Sequence, residues 1–323
     1  MKILITGVHG FVGGNLVKAL GSSIEIYGLD IVSPEKAGVI KTFSWEDLDN
    51  GIVPQVDAII HLAGKAHDIK NKSGADVYFK VNTDLTKKMY DWFLKSEAKK
   101  FIFFSSVKAA ADFVPGDVLT EDVVPAPVGP YGESKIKAEE YILDCLGVKV
   151  GQHEWMDKSE KKAYILRPCM IHGPGNKGNL NLLYGVVSKG IPWPLGAFDN
   201  RRTFTSIDNL TFVINGLLTK NVPSGIYHMA DDEALSTNEL IRLICESEGK
   251  SVRIWNLPKQ LMVSIAGLGS MLHLPLNKDR LQKLTENYVA SNAKIKKALG
   301  IDRMPIRANE GLTKTLKSFA NEK

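Results

Sequence analysis

A glycine motif placed after a short apolar run constrains the fold more than any other feature of this sequence. The motif reads Gly7-Val8-His9-Gly10-Phe11-Val12-Gly13, and it stands between an apolar run at residues 3–5 and a helical pattern at residues 11–20. Strand, glycine turn and helix in this order are typical of a βαβ unit that binds a dinucleotide. The glycines permit a tight turn, close approach of the backbone to a pyrophosphate, and close packing of helix on strand. The predicted cofactor-binding residues of this motif are Gly7, Gly10, Phe11, Val12 and Gly13.

Short strand-like runs alternate with helix-like runs through the first half of the chain. One of them, Phe101–Phe104, is a continuous apolar strand of the kind that parallel sheets bury on both faces. The alternation predicts an α/β fold with a doubly wound, Rossmann-type parallel sheet. Right-handed crossovers then place the C-terminal ends of all strands on one side, where ligands bind.

The pattern loosens after Pro168, and this change predicts a second domain. Glycine and proline cluster between residues 173 and 196. We predict a Rossmann domain that binds the dinucleotide, formed by residues 1–168 and about 205–229. Residues of about 169–204 and 230–323 are predicted to form a smaller C-terminal substrate-binding domain. A charged insertion at residues 147–162 is interpreted as a surface loop.

A carboxylate at the end of the second predicted strand bears on the choice of cofactor. Asp30 stands 17 residues after Gly13, where a side chain can accept hydrogen bonds from both hydroxyls of a ribose. Its negative charge would repel the 2′-phosphate of NADP. The sequence therefore predicts NAD as the cofactor, bound in part by Asp30.

A tyrosine and a lysine lie four residues apart on the helix predicted after the strand at 101–104. This spacing places Tyr131 and Lys135 on the same helix face, where they can reach a nicotinamide ring. A free phenol has a pKa near ~10, and we expect Lys135 and the positive nicotinamide to lower it toward neutrality. Ser106, at the C-terminal end of that strand, would hydrogen-bond the reacting hydroxyl and relay its proton. The predicted catalytic residues are therefore Ser106, Tyr131 and Lys135.

Composition argues against several classes of protein. The formal net charge is +5, and an excess this small does not indicate a nucleic-acid partner. The three cysteines match neither a metal motif nor a disulfide framework, so we predict no metal site and a reducing, cytoplasmic location. The apolar run at residues 3–5 is too short for the core of a signal peptide.

The longest apolar stretch spans residues 257–276, and its composition makes it a poor membrane span. It contains two prolines, a lysine, a glutamine and a histidine. We therefore predict no membrane span and interpret the stretch as a buried or dimer-facing helix. A surface-lying amphipathic helix is the alternative.

The order of these motifs resembles that of the extended short-chain dehydrogenase/reductase family. Within it, the chain is most similar to the nucleotide-sugar epimerase/dehydratase branch, over nearly its whole length. The motifs that carry the resemblance are Thr6-Gly7-x-x-Gly10-Phe11-x-Gly13, His61-Leu62-Ala63-Gly64, Phe104-Ser105-Ser106, the pair Tyr131 and Lys135, and Leu166-Arg167-Pro168. The resemblance implies a homodimer, a nicotinamide ribose held by Lys135, and cofactor contacts from Leu62, Ala63, Gly64, Asn82 and Pro168.

The same resemblance implies a nucleotide-sugar substrate. Arg202 matches an arginine that grips the substrate's diphosphate, a task that suits a bidentate guanidinium. Ser106, Lys108 and Asn179 are implied as further substrate contacts. Lys108, Arg201-Arg202 and the segment 173–179 look like their counterparts in bacterial enzymes of polysaccharide precursor synthesis, which handle UDP-N-acetylhexosamines.

The chain departs from the family's pattern where a dehydratase carries its acid and base. Ser106 is followed by Val107-Lys108 in place of an Asp-Glu pair, which argues against a 4,6-dehydratase. Ala110-Ala111 replaces a tyrosine-glycine pair, a change that would reshape the sugar pocket. The predicted function is therefore NAD-dependent epimerisation at C4 of a UDP-sugar by hydride transfer. Two alternatives stay open: NAD(P)H-dependent reduction of a UDP-4-keto-6-deoxy-N-acetylhexosamine, and a non-catalytic NAD-binding sensor.

Overall fold

The described residues form a seven-stranded parallel sheet with helices on both faces. The structure is a computed structural model and describes residues 1–21, 24–66, 74–148, 155, 160–272 and 277–321. The strands are β1 (Lys2–Thr6), β2 (Glu25–Leu29), β3 (Lys41–Phe43), β4 (Ala58–His61), β5 (Lys100–Phe104), β6 (Lys162–Pro168), β7 (Met170–His172), β8 (Phe204–Ser206) and β9 (Gly225–Met229).

The helices are α1 (Phe11–Leu20), α2 (Trp45–Asp49), α3 (Ala75–Tyr78), α4 (Leu85–Lys95), α5 (Val107–Ala110), α6 (Gly129–Leu146), α7 (Asn179–Val187), α8 (Ile207–Thr219), α9 (Thr237–Ser247), α10 (Lys259–Met271), α11 (Lys278–Thr285), α12 (Ala293–Leu299) and α13 (Ala308–Asn321). A π-helical turn, Phe79–Asp84, joins α3 to α4. Such turns interrupt the regular helical ladder and often lie near functional sites.

The strand order places a crevice next to the first strand. The order is β3-β2-β1-β4-β5-β6-β9, and every neighbouring pair is parallel. The direction in which the sheet grows reverses between β1 and β4, and ligands bind at the C-terminal strand ends at such a point. The predicted α/β class and doubly wound sheet are thereby confirmed.

Apolar side chains on both faces explain why such short strands assemble into the interior. Ile3 and Ile5 lie in one hydrophobic core with residues of α1 and α8, whereas Leu4 lies in another with residues of α4 and α6. All three side chains are fully buried. The alternation follows from the two-residue period of a strand, which sends successive side chains to opposite faces.

A third hydrophobic core lies outside the sheet and is built by the C-terminal part of the chain. Helices α7, α9, α10, α11 and α13 contribute to it, together with β8 and the turn at Trp193. Strand β8 also pairs in parallel with β7. Helix α12 packs elsewhere, because Ile295 and Leu299 lie in the core between α8 and the sheet. The division into two domains stays a prediction. The packing groups α12 with the sheet and not with the C-terminal core.

Helix α10 corrects the interpretation of the apolar stretch at 257–276. It buries Met262, Ala266 and Gly269, whereas Leu268 and Met271 expose 58% and 77% of their surface. The prediction of a buried helix was therefore wrong for this face, and a dimer contact stays a prediction. Residues 273–276 and most of the insertion at 147–162 lie outside the described residues. Across the described parts of the chain, no helix has both the length and the apolar character needed to cross a bilayer.

Candidate active site

The glycine turn between β1 and α1 has a backbone that only glycine fits. Gly7 has a positive φ of 68°, and the N–H of Gly10 donates to the Gly7 carbonyl over 3.0 Å. A Cβ atom on Gly13 would lie 2.6 Å from the Gly7 oxygen and 2.8 Å from Val8 Cα, so a side chain would push α1 away from β1. Because Gly10 precedes the helix, no capping side chain covers the first N–H groups of α1. The turn therefore fits the pyrophosphate of a dinucleotide.

Asp30 follows β2 and lies beside the glycine turn. Its carboxylate accepts hydrogen bonds from the N–H groups of His9, over 3.0 Å, and Ile31, over 2.8 Å. These bonds fix the orientation of the side chain and leave lone pairs on both oxygens. The arrangement fits a ribose whose hydroxyls donate to the carboxylate.

A cavity of about 560 Å³ opens at the C-terminal ends of β1, β4, β5 and β6, within the range usual for small-molecule sites. The predicted site residues that line it are Gly7, Gly10, Phe11, Val12, Gly13, Leu62, Gly64, Ser106, Lys108, Tyr131, Lys135, Pro168, Asn179 and Arg202. Asp30, Ala63 and Asn82 lie outside this lining. Where the structure describes the chain, no group of three His, Cys, Asp or Glu side chains could hold a metal ion.

The loop after β4 is fixed by hydrogen bonds to β1 and α6. Thr6 Oγ1 accepts the N–H of Ala63 over 3.0 Å. Asn82 is fully buried in the π-helical turn, accepts the N–H of Lys65 over 2.8 Å and donates to Ser134 Oγ over 2.9 Å. The structure thus places Asn82 behind the loop, which it ties to α6. A direct contact between Asn82 and the cofactor stays a prediction.

Tyr131 and Ser106 lie together at the cavity. Tyr131 stands in the first turn of α6, and a side-chain hydrogen bond with Ser106 lowers the pKa of the phenol. Burial raises that pKa more strongly, so it lies above the ordinary value for tyrosine. For the chain alone, burial outweighs the interactions that favour the phenolate. The expected shift of the Tyr131 pKa toward neutrality beside the positive nicotinamide stays a prediction.

The Lys135 ammonium is directed at the end of β5. Nζ donates to the Phe104 carbonyl over 2.8 Å and lies 5.0 Å from the centre of the Phe103 ring. Only 5% of the residue is exposed, and burial lowers the pKa of Lys135 to about 8. Lys135 also lines the cavity, so the ammonium can donate to a ligand there.

A buried ion pair stands directly behind Lys135. Arg167 donates to Glu139 through Nε over 3.0 Å and through Nη2 over 2.6 Å. Ser105 also donates to the Glu139 carboxylate, and both charged side chains are almost fully buried. The negative charge of Glu139 raises the pKa of Lys135 and so opposes the effect of burial. The sequence analysis missed this pair, although Glu139 stands four residues after Lys135 and hence on the same helix face.

The two cations predicted to contact substrate each have a carboxylate partner. Arg202 Nη2 lies 3.0 Å from Glu286, and Lys108 Nζ lies 3.0 Å from Asp112. Both cations line the cavity together with Asn179, the first residue of α7. Pairing fixes the direction of each side chain and offsets part of its charge, so an anionic ligand would meet oriented donors.

Tyr288 and Asn176 line the cavity and were missed by the sequence analysis. The Tyr288 hydroxyl donates to the Ala111 carbonyl over 2.7 Å, and its ring centre lies 4.5 Å from Lys108 Nζ. A tyrosine from the C-terminal part thus packs where Ala110-Ala111 leave room. Asn176 Nδ2 is buried and bonds to none of the described residues, which leaves a donor for a ligand. Tyr288 belongs to no motif or periodic pattern that would reveal it in the sequence, whereas Asn176 lies within the segment 173–179 that the resemblance already indicated.

Comparison with known proteins places this chain among nucleotide-sugar enzymes by similarity. The sequence profile of the NAD dependent epimerase/dehydratase family matches residues 3–230. The chain is 30% identical over 272 residues to a UDP-glucose 4-epimerase from Vibrio cholerae, and the alignment covers 80% of this chain and 78% of that protein. It is 27% identical over 307 residues to an N-acetyl-alpha-D-glucosaminyl-diphospho-ditrans,octacis-undecaprenol 4-epimerase from Escherichia coli O157:H7, covering 92% and 85%.

A solved structure shows the same fold over the full length of both chains. MoeE5 in complex with UDP-glucuronic acid and NAD superposes with a TM-score of 0.75 at 18% identity, covering 100% of each chain. At this low identity the likeness concerns the fold alone. It agrees with the parallel sheet described above.

Proposed function

Because the chain belongs to the NAD-dependent epimerase/dehydratase family, its cofactor is NAD, and we propose that it epimerises C4 of a UDP-sugar. One observation carries the proposal. Ser106, Tyr131 and Lys135 line a single cavity with the glycine turn, at the sheet edge where a dinucleotide binds. The substitution of Val107-Lys108 for an acidic pair favours this reaction over dehydration.

Different residues of the chain would hold the cofactor and move the proton. Gly7, Gly10 and Gly13 would receive the pyrophosphate, Asp30 a ribose, and Lys135 the ribose next to the reacting ring. When bound, NAD would supply a reversible hydride acceptor at C4. Tyr131 would take the proton of the C4 hydroxyl, and Ser106, already hydrogen-bonded to the phenol, would orient that hydroxyl. The 4-keto sugar would then turn over, take hydride back on the other face of C4 and recover the proton of its C4 oxygen from Tyr131, which completes the epimerisation.

The same geometry supports a UDP-N-acetylhexosamine as substrate. Arg202 and Lys108 offer two oriented cations to a diphosphate. Asn176 Nδ2 and Asn179 offer amide donors to the sugar or its acetyl group. The relative that acts on a lipid-linked N-acetylglucosaminyl diphosphate supports the N-acetyl group, at 27% identity. We propose that this protein serves polysaccharide precursor synthesis and acts as a homodimer, an oligomeric state that light scattering would test.

The decisive experiment uses the purified protein with UDP-N-acetylglucosamine and no added cofactor. We expect the C4 epimer to appear by NMR, because an epimerase regenerates the cofactor it carries in every cycle. If no epimer forms but NAD(P)H is consumed with a UDP-4-keto-6-deoxy sugar, the protein is a reductase. Tight binding of NAD without binding of any nucleotide sugar would instead show a sensor.

A further inference from the structure

Helix α10 carries an apolar stripe that the described chain leaves open to solvent. Leu261, Ile265, Leu268 and Leu272 follow one another at helical spacing and expose 47%, 41%, 58% and 66% of their surface. The opposite face of the helix packs into the C-terminal core. Single exposed apolar residues are ordinary, but a stripe along one helix indicates an interaction surface.

The segment that contains α10 and α11 has a net positive charge. Residues 250–283 contain six Lys or Arg and one Asp, whereas the formal net charge of the whole protein is +5. Lys259 at the start of α10 is exposed, as are Lys278 and Lys283 on α11. Lys278 lies against α10, with its Cε 3.6 Å from where a Cβ on Gly267 would stand. Cations therefore lie beside the stripe in space, on α11, as well as at the start of α10.

An exposed tryptophan adds a third feature of the same kind. Trp255 stands four residues before α10 and exposes 55% of its surface. Tryptophan is enriched at the boundary between lipid and water, because its ring is apolar and its N–H is polar. Apolar stripe, flanking lysines and a nearby tryptophan are the composition of a helix that lies in a membrane interface.

We propose that α10 docks this protein on the surface of a bilayer that contains anionic lipid. Its leucines would enter the boundary of the acyl chains, and the lysines would meet the headgroups. A second copy of the chain is a less suitable cover, because a twofold contact would bring the same cations face to face. Anionic headgroups complement them. The proposal goes beyond the C4 chemistry and does not depend on it.

The test is flotation of the purified protein with vesicles of phosphatidylcholine, prepared with and without one third phosphatidylglycerol. We expect binding to the anionic vesicles only, and weaker binding as salt is raised. The double variant Leu261→Ser/Leu268→Ser should lose about tenfold in vesicle partitioning. Lys278→Gln should lose about fivefold.

A matched control separates the stripe from exposed apolar residues in general. Ile40 and Val124 expose 57% and 81% of their surface outside this region. Ile40→Ser/Val124→Ser should float like the unaltered protein, and every variant should keep its turnover of soluble substrate. Failure of the unaltered protein to float at low salt would overturn the proposal. So would a change of oligomeric state in Leu261→Ser/Leu268→Ser, measured by light scattering, because that result assigns the stripe to a second copy.

Discussion

Among single residues, Tyr131 has the most specific proposed role, and removal of its hydroxyl group tests that role. Tyr131→Phe keeps the ring and its packing but takes away the group that exchanges a proton with substrate. We expect turnover to fall by about a hundredfold to ten-thousandfold, while the dissociation constant for NAD stays within a factor of about two. Steady-state kinetics and calorimetry measure the two quantities. Near-full turnover in the variant would contradict the assigned role.

The lowered pKa of Lys135 predicts an alkaline limit to cofactor binding. Its pKa of about 8 lies below the ordinary value, so the ammonium is lost as the pH rises through 8. Since the charged ammonium is the stronger donor to a ribose, NAD binding should weaken as the pH rises above that value, by at most about tenfold per pH unit. Titration calorimetry between about pH 7 and pH 10 checks this. Lys135→Arg keeps its charge and should show no such decline, and a flat curve for the unaltered chain would refute the assignment.

The buried pair of Glu139 and Arg167 should matter for stability far more than a surface pair on the same helix. Glu139→Gln leaves the Arg167 guanidinium buried without a countercharge, a change that costs about 3 kcal/mol of unfolding free energy. Glu140→Gln removes the half-exposed partner of Lys137 and should stay within about 0.5 kcal/mol. Denaturant unfolding compares the two variants. Equal effects would show that the buried pair has no special weight.

At the level of elements, the contact between α1 and β1 depends on one glycine. Gly13→Ala places a Cβ 2.6 Å from backbone, which should cost about 1–3 kcal/mol of stability and weaken NAD binding at least about tenfold. Gly14→Ala meets only the flexible end of Lys36, 3.4 Å away, and should be neutral or slightly stabilising. Thermal melts with and without NAD measure both variants. Similar affinities of the two variants for NAD would show that the close approach of α1 to β1 at Gly13 plays no role in cofactor binding.

The elements that the sequence predicted well are those with a strong local pattern. The strand at 101–104, the glycine turn and the helix that carries Tyr131 are confirmed, because apolar runs, glycine spacing and helical periodicity are local signals. Helix α6 begins at Gly129 and holds Pro130 in its first turn, where the missing N–H of a proline costs no helical hydrogen bond. The π-helical turn was not predicted, and the sequence left α10 open between a buried or dimer-facing helix and a surface-lying one. Both features depend on what packs against a helix, which no local pattern specifies.

The candidate site was predicted only where one segment supplies a whole motif. Tyr288 reaches the cavity from a segment more than 150 residues after Tyr131 in the chain, and its role depends on the small Ala111. Glu286 pairs with Arg202 in the same way. Contacts of this kind are set by tertiary packing, so no spacing in the sequence announces them.

For the whole molecule, ligand binding should report which dinucleotide the chain accepts. NAD at a hundred times its dissociation constant should stabilise the folded protein by about 2.7 kcal/mol. NADP should give much less, because its 2′-phosphate would meet the Asp30 carboxylate. Asp30→Asn should narrow the difference in stabilisation between NAD and NADP, because it removes the negative charge and keeps a carbonyl oxygen that can accept the N–H of His9. Equal stabilisation of the unaltered chain by the two dinucleotides would show that Asp30 does not select between them.

The path of the chain between its hydrophobic cores has a consequence for any attempt to cut it. The chain leaves the sheet after β6, returns for α8 and β9, leaves for α9 to α11, and returns for α12 before α13 joins the C-terminal core. A single proteolytic cut in a loop between these elements would therefore leave the two fragments associated, because they would share hydrophobic cores. A recombinant fragment that stops at Pro168 would lack the edge strand β9 and the helices α8 and α12 that cover its apolar face.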